Sequence, residues 1–482
     1  MEQNLKNLVN GELVDASNGK RIDVFNPAQP DQKVGSVPSM STSDLDNVHA
    51  AATAGAKIWK KTDSLERGKV LLRAAELIRE KKKDLISTIV AEMGKTTAEA
   101  TGEVSKTAEF FEYYGSMGRE EFGQFLPDGR PETFAARLVE PLGVVVLITP
   151  WNDPFLTPAR KLGPALIAGN AVIIKPATVT PLITLRLAEI LHESGLPAGV
   201  LGTVTGRGSV IGDPLFEFDE LKAVSFTGST AVGKDIQSKL SSRGVRVQTE
   251  MGGKNAAVIM DDGDLDLAIP TIVAGAFAQA GQRCTATSRL IVQKGIAPKV
   301  RDLIAEAVHQ LSVAPGTTED ADLGPVVDAD AQKSISEHVS RAVSQGASVV
   351  AQNKLAGAAT ESGFFVAPTF LQVTVDQDIW AEEVFGPVLG MVVVNDLSEA
   401  IDLVNDSVYG LASSIFTRDL GNAFDFLYRV DTGQVSINQP TTGWDIHHPF
   451  GGFKDSGSGY KEQGHDALSF YTRVKTAAVR TH

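Results

Sequence analysis

Apolar residues change their spacing sharply along this chain. Val70, Leu71, Ala74, Ala75 and Ile78 recur at helical spacing, and Asp63-Ser64-Leu65-Glu66 ahead of them has the form of a helix start. A long amphipathic helix is predicted there, with Lys81-Lys82-Lys83 on its solvated side. From Gly143 the pattern becomes one of short, unbroken apolar runs. Val144 to Ile148, Ala171 to Ile174, Val200 to Val204 and Lys222 to Phe226 predict strands. Lys161 to Ala168 and Leu182 to His192 predict helices between them. Such alternation implies a parallel sheet covered on both faces. A second α/β stretch runs from about Ala256 to Asn438.

Between these regions, Glu121 to Glu140 carries the turn signal Pro127-Asp128-Gly129 with strand-like residues on either side. It predicts a projecting hairpin. The tail, Leu468 to Val479, is strand-like too. The two either build an arm for self-association or are ordinary edge strands.

At 482 residues the chain exceeds one compact core, so two or three domains are expected. A lone cysteine excludes an intramolecular disulfide and fits a reducing, cytoplasmic setting. The opening Met1-Glu2-Gln3-Asn4-Leu5-Lys6 lacks the basic-then-apolar order of a signal peptide. Runs such as Gly143 to Ile148 are too short to cross a bilayer. A net charge of −14 argues against nucleic acid and anionic membranes as partners. It leaves room for a locally positive pocket and an anionic small substrate.

The chemistry begins with that cysteine. Cys284 lies in Gly281-Gln282-Arg283-Cys284-Thr285, and Glu250 lies upstream in a glycine-rich segment. A thiol and a carboxylate can serve as nucleophile and base at a carbonyl carbon, although a lone cysteine is also a good core residue. Asn152 follows the first strand, where an amide can donate to an oxyanion or simply make a turn. Lys175 and Thr178 follow the second strand, at the strand ends where parallel sheets bind ligands. Gly228-Ser229-Thr230-Ala231-Val232-Gly233 can offer a helix N-terminus to a phosphate, or be a tight turn. Glu383 and Phe385 can meet a ribose and a flat ring, or end an exposed helix. His447 and His448 have no further ligands at metal spacing, so they read as pocket-lining or structural, and no metal is expected.

Taken together, these pieces resemble the aldehyde dehydrogenase superfamily. The resembling segments are Thr149-Pro150-Trp151-Asn152, Lys175-Pro176, Phe226-Thr227-Gly228-Ser229, Glu250-Met251-Gly252-Gly253-Lys254-Asn255, Gly281-Gln282-Arg283-Cys284, Glu383-Val384-Phe385-Gly386-Pro387 and Pro449-Phe450-Gly451-Gly452-Phe453. They stand in the family's order and span most of the chain. The resemblance implies an α/β fold with a Rossmann-type cofactor domain (1–120 and 141–249), an α/β catalytic domain (250–438), and a small β oligomerisation arm (121–140 and 465–482). Residues 439–464 would form the substrate-entrance loop and connection.

It also implies roles. Cys284 attacks the aldehyde, Asn152 and the Cys284 N–H hold the oxyanion, and Glu250 activates the water that hydrolyses the thioester. Lys175 and Glu383 would hold ribose hydroxyls, Phe385 the nicotinamide, and Gly228-Ser229 the pyrophosphate. Thr149, Pro150, Trp151, Phe226, Gly233, Met251 and Gly252 would complete the cofactor site. Many NAD-preferring members carry Glu where this chain has Thr178, so NADP is expected to be preferred over NAD. Phe155, Arg160, Arg283, Thr285, Trp444 and Phe450 would surround the aldehyde. The arginines either bind a distal carboxylate or pair with structural carboxylates. The loop from Pro440 is similar to members acting on semialdehydes, including 2-oxoglutarate semialdehyde; an aromatic or aliphatic aldehyde is the competitor. A homodimer or homotetramer is implied. A CoA-acylating member usually lacks the base that Glu250 provides, and a non-catalytic relative would lack Cys284, Glu250 or Asn152.

Overall fold

The computed structural model describes residues 2–120, 123–355 and 357–480. The first two residues of the expected hairpin, 121 and 122, and the last two of the tail, 481 and 482, lie outside the described residues.

The four apolar runs form a five-stranded sheet together with Arg246–Glu250, a largely polar strand that the pattern does not predict. The order is Leu201–Thr203, Ala171–Lys175, Val144–Ile148, Leu221–Thr227, Arg246–Glu250, with every pair parallel. Its residues alternate between two cores. Val145, Leu147, Val172 and Ile174 pack on one face with Phe111, Leu162 and Leu187. Val144, Val146, Ile173 and Val224 pack on the other with Val48, Ile211 and Ile236. Burial on both faces explains why these strands read as continuous rather than alternating apolar runs. Each fully buried Val, Leu or Ile contributes roughly 1.5–3 kcal/mol of transfer free energy.

The second α/β stretch forms a seven-stranded sheet, from Ser348–Gln352 at one edge to Gln434–Ile437 at the other, with Asn255–Ile259 and Thr287–Gln293 inside. Only the Ser348–Gln352 edge strand pairs antiparallel. Thr133–Pro141 pairs along its whole length with Thr472–Arg480 and, on its other side, with Gly123–Leu126. These three strands make a separate antiparallel sheet.

Three local differences from the sequence expectations have clear causes. The predicted long helix is two: Ser64–Glu80 stops at Lys81, and Lys82–Met93 restarts there. Lys81 leaves helical geometry (ψ 10°) and caps both. The tail begins as a short helix, Ala467–Tyr471, whose side chains close the first core, before it extends. The chain start, unassigned in the sequence, forms a three-stranded sheet of Gln3–Asn4, Arg21–Asn26 and Gln29–Pro38. No helix among the described residues is long and apolar enough to cross a membrane.

Candidate active site

Strand register brings the first group of residues together. In the five-stranded sheet Ile148 pairs with Lys175 and with Phe226, and Thr227 pairs with Glu250. Their carboxyl ends therefore form one rim, and the segments after them line a cavity of about 720 Å³. The rim contributes Thr149, Pro150, Trp151, Asn152, Lys175, Phe226, Gly228, Ser229, Glu250, Met251 and Gly252.

The second sheet delivers Cys284 to the same cavity. Helix Leu265–Phe277 ends in a turn in which Gln279 (φ +57°), Ala280 (φ +53°) and Gly281 (φ +68°) are all left-handed. Gly281 is required there, because a Cβ would sit 2.1 Å from the Gly386 carbonyl oxygen. Cys284 emerges half-buried. Its carbonyl is pinned by Asn255 Nδ2 at 2.8 Å. Asn152 Nδ2 donates to the Gln282 carbonyl at 2.9 Å, which ties the two loops and leaves a second amide N–H for another acceptor.

The electrostatics of these groups are unusual. Burial pushes the Cys284 thiol up to about 12, against the pull of the Arg160 guanidinium. Burial and then the neighbouring Glu462 carboxylate push Glu250 well above the ordinary carboxylate range. Among the described residues Glu250 Oε2 has no hydrogen-bond partner, and Oε1 is met only distantly by Gln248 Nε2 at 3.5 Å. Gly451 makes room for it, since a Cβ there would lie 2.6 Å from Oε1. A buried, underused carboxylate with a raised pKa has the character of a general base.

Glu462 is a member of this site that the sequence reading missed. Its carboxylate is buried and accepts from Lys161 Nζ, from Arg160 Nη1 at 3.2 Å and from Thr227 Oγ1 at 2.9 Å. Burial works against its charge, but Lys161 and Arg160 hold it below the usual range. Lys161 falls on the apolar stripe of its helix, a signal available in the sequence, because a lysine buried there needs an anion. Phe110, Glu103 and Lys95 also line the cavity unanticipated. Lys95 bridges Glu103 and Asp153, each at 2.6 Å.

Of the residues expected around an aldehyde, Arg160, Arg283, Thr285, Trp444 and Phe450 line the cavity. The Arg160 guanidinium lies 4.6 Å from the Phe450 ring centre and is engaged by Glu462. Arg283 differs. Its Nε donates to Gln279 Oε1 at 2.7 Å, and it has no carboxylate partner at ion-pair distance among the described residues. Phe155 is a correction: it is fully buried in the first core and does not line the cavity, because its backbone N–H is held by Glu103 and its ring faces inward. Phe110 and Leu156 line the cavity instead. His447 and His448 meet edge-on, with ring centres 4.4 Å apart, on an exposed loop outside the lining. No group of three or more His, Cys, Asp and Glu able to hold a metal occurs among the described residues.

The remaining polar groups of the rim fit a dinucleotide. Burial brings Lys175 down to about 8, and its ammonium makes one long donation, to the Pro176 carbonyl at 3.3 Å. Thr149 Oγ1 is buried without a hydrogen-bond partner among the described residues. Glu383, pushed to about 7 by burial, accepts from Gly253 N at 2.9 Å. Its second oxygen would lie 2.2 Å from a Cβ at Gly252, so glycine opens that approach. Ser229 starts helix Thr230–Leu240 without capping it by its side chain, which leaves the helix N–H groups for an anion. Phe385, at φ +53°, sets its ring edge-on to Trp151 at 5.3 Å. Two expected contacts stand back from the cavity. Gly233 lets the helix approach Met251, whose Sδ would be 2.4 Å from a Cβ. Thr178 donates to the Gly206 carbonyl at 3.3 Å, while Ala177 lines the cavity.

A sequence model described as the aldehyde dehydrogenase family matches residues 13–477. The chain is 37% identical over 476 residues to the alpha-ketoglutaric semialdehyde dehydrogenase of Bacillus subtilis, covering 98% of each chain. It is 35% identical over 473 residues to the NADP(+)-named succinate-semialdehyde dehydrogenase GabD of Escherichia coli, covering 98% of this chain and 97% of that one. Among solved structures, betaine aldehyde dehydrogenase from Staphylococcus aureus in complex with NAD+ superimposes with a TM-score of 0.96 at 30% identity, covering 100% of this chain and 95% of that one. Fold, cavity and these likenesses agree: the chain belongs to the aldehyde dehydrogenase family, oxidoreductases that use NAD or NADP to oxidise aldehydes.

Proposed function

We propose that the protein oxidises a semialdehyde bearing a distal carboxylate, of the 2-oxoglutarate semialdehyde class, to the corresponding dicarboxylic acid, with NADP preferred over NAD. The observation that carries this is Arg283. Its guanidinium lines the cavity next to Cys284, with Asp153 as a nearby charge. Among the described residues it is hydrogen-bonded through Nε, and its terminal N–H groups bond to none of those residues and can take a carboxylate in bidentate fashion. The names of the Bacillus and Escherichia relatives, both semialdehyde dehydrogenases, support the same class.

In the mechanism we propose, the Cys284 thiol loses its proton to solvent water and its sulfur attacks the aldehyde carbon. The free Asn152 N–H and the Cys284 backbone N–H hold the oxyanion of the thiohemiacetal. Oxidation of this adduct to the thioester requires a hydride acceptor, the chemistry that a nicotinamide dinucleotide would supply when bound. Lys175, Glu383, Phe385 and the start of helix Thr230–Leu240 are the groups that would hold it. Glu250 then removes a proton from water, the hydroxide adds to the thioester carbon, and the C–S bond breaks. The acid leaves and the Cys284 thiol is restored. The buried Glu462–Lys161 pair can stabilise the charge changes at Glu250.

The five-stranded and seven-stranded sheets support division into a cofactor domain (1–120 and 141–249) and a catalytic domain (250–438). The separate three-stranded sheet supports an arm (121–140 and 465–482) that joins copies into a dimer or tetramer. Phe125, Phe134 and Val474 are exposed on it. The single free cysteine fits a cytoplasmic enzyme.

Steady-state kcat/KM with NADP, for succinate semialdehyde beside butyraldehyde, tests the substrate class. A preference of about ten-fold or more for the carboxylated aldehyde is expected, equivalent to about 1.4 kcal/mol. Arg283→Gln should remove most of it. Equal rates would point to an aliphatic or aromatic aldehyde held by Trp151, Trp444 and Phe450.

Cofactor choice has its own test. In Thr178→Glu a carboxylate repels a 2′-phosphate and can accept ribose hydroxyls. The NADP-to-NAD ratio of kcat/KM should fall by roughly ten-fold or more, since about 1.4 kcal/mol of repulsion suffices. An unchanged ratio would contradict a role for Thr178.

A further inference from the structure

Gln279 is buried in the left-handed turn before Cys284, and all its polar atoms are used. Oε1 accepts from Arg283 Nε at 2.7 Å. Nε2 donates to the Asn152 carbonyl at 2.6 Å and, more weakly, to Asp153 Oδ1 at 3.4 Å. Its backbone N–H donates to Glu99 Oε1 at 2.5 Å, and its carbonyl accepts from Gln282 Nε2 at 3.2 Å. A guanidinium can only donate and a carbonyl can only accept, so these partners fix which end of the amide faces which loop. Glu99 caps its own helix through Oε2 while Oε1 anchors the turn. The turn therefore hangs from a rigid element.

We propose that Gln279 is a positioning residue that sets the preference for carboxylated aldehydes: it holds Arg283 by Nε–H and keeps the terminal N–H groups free for the substrate carboxylate. The inference rests on the reading of Arg283 given above. A long, flexible arginine has many rotamers, and one fixed Nε bond removes most of them before substrate arrives. An amide suits this position because it neutralises none of the guanidinium charge. A carboxylate in the same place would pair with Arg283 and compete with the substrate.

The test compares the ratio of kcat/KM for succinate semialdehyde to that for butyraldehyde in the wild type, Gln279→Met, Arg283→Gln and the double variant, all with saturating NADP. Damage passed through Asn152 slows both substrates and cancels in the ratio. Gln279→Met is expected to lower the ratio by about ten-fold, mainly through KM for the semialdehyde, and to change it by less than about two-fold once Arg283 is already Gln. Should Gln279→Met fail to fold, Gln279→Glu preserves size and the acceptor, and the same fall is expected from its pairing with Arg283. A wild-type ratio in the Gln279 variants, with the ratio lost in Arg283→Gln, would overturn the role of Gln279 alone. A wild type without preference, or an Arg283→Gln variant that keeps it, would overturn the carboxylate reading of Arg283 and this inference with it.

Discussion

Cys284→Ser is expected to lower kcat/KM for aldehyde oxidation by roughly 10⁴-fold or more, as loss of a covalent nucleophile does. Serine keeps the shape, so NADP binding, followed by fluorescence titration, should stay close to that of the wild type. The reason for so large a loss lies in the surroundings of the thiol. Its carbonyl is fixed by Asn255, and Asn152 is tied to the adjoining Gln282 carbonyl, so the proposed attacking atom and the proposed oxyanion donor are set relative to one another. With burial pushing the thiol up to about 12, it is neutral at pH 7 and ionises as pH rises. Because this is the only cysteine, alkylation by iodoacetamide reports on it alone. Labelling of the free protein should be slow at neutral pH and should accelerate steadily towards alkaline pH. Rapid labelling at pH 6 would contradict that environment.

Glu250→Gln is expected to separate the two halves of the reaction. Acylation should survive, while hydrolysis should fall by about 10²–10⁴-fold, the usual contribution of a general base. Stopped-flow absorbance at 340 nm should then show a burst of NADPH approaching one equivalent per active site, followed by a slow phase. Loss of the burst along with turnover would instead place Glu250 before the thioester. The pH dependence follows from the raised pKa. Glu250 is protonated, and idle as a base, below that pKa, and it becomes active as pH rises through it. Hydrolysis by the wild type should therefore rise from neutral towards alkaline pH, and the variant should lack that rise.

Much of this site is visible in the sequence because its parts follow strand ends. Asn152, Lys175 and Gly228 each come just after, or at the end of, an apolar run, and parallel register gathers such positions onto one rim. Glu250 ends the largely polar strand Arg246–Glu250, which gives no such signal, and register with Thr227 brings it to the same rim. Chain proximity does not give side-chain direction. Phe155 is three residues beyond Asn152, yet it turns into the core where its N–H caps against Glu103. Partnerships across long separations are hidden as well. Lys161 and Glu462 are 301 residues apart, and only the folded chain shows that each neutralises the other. The strands of residues 3–38 escaped notice because Arg21–Asn26 and the start of Gln29–Pro38 are largely polar and exposed, with little periodic contrast. Gln279 carries no motif; its importance comes from three consecutive left-handed residues, which local sequence does not announce.

The covalent step is best tested by intact-protein and peptide mass spectrometry of Glu250→Gln quenched in acid after mixing with succinate semialdehyde and NADP. An added mass equal to one succinyl group, located on the Cys284 peptide and removed by hydroxylamine, is the expected result. NADPH formation without any adduct, or an adduct on another residue, would contradict thioester catalysis by Cys284.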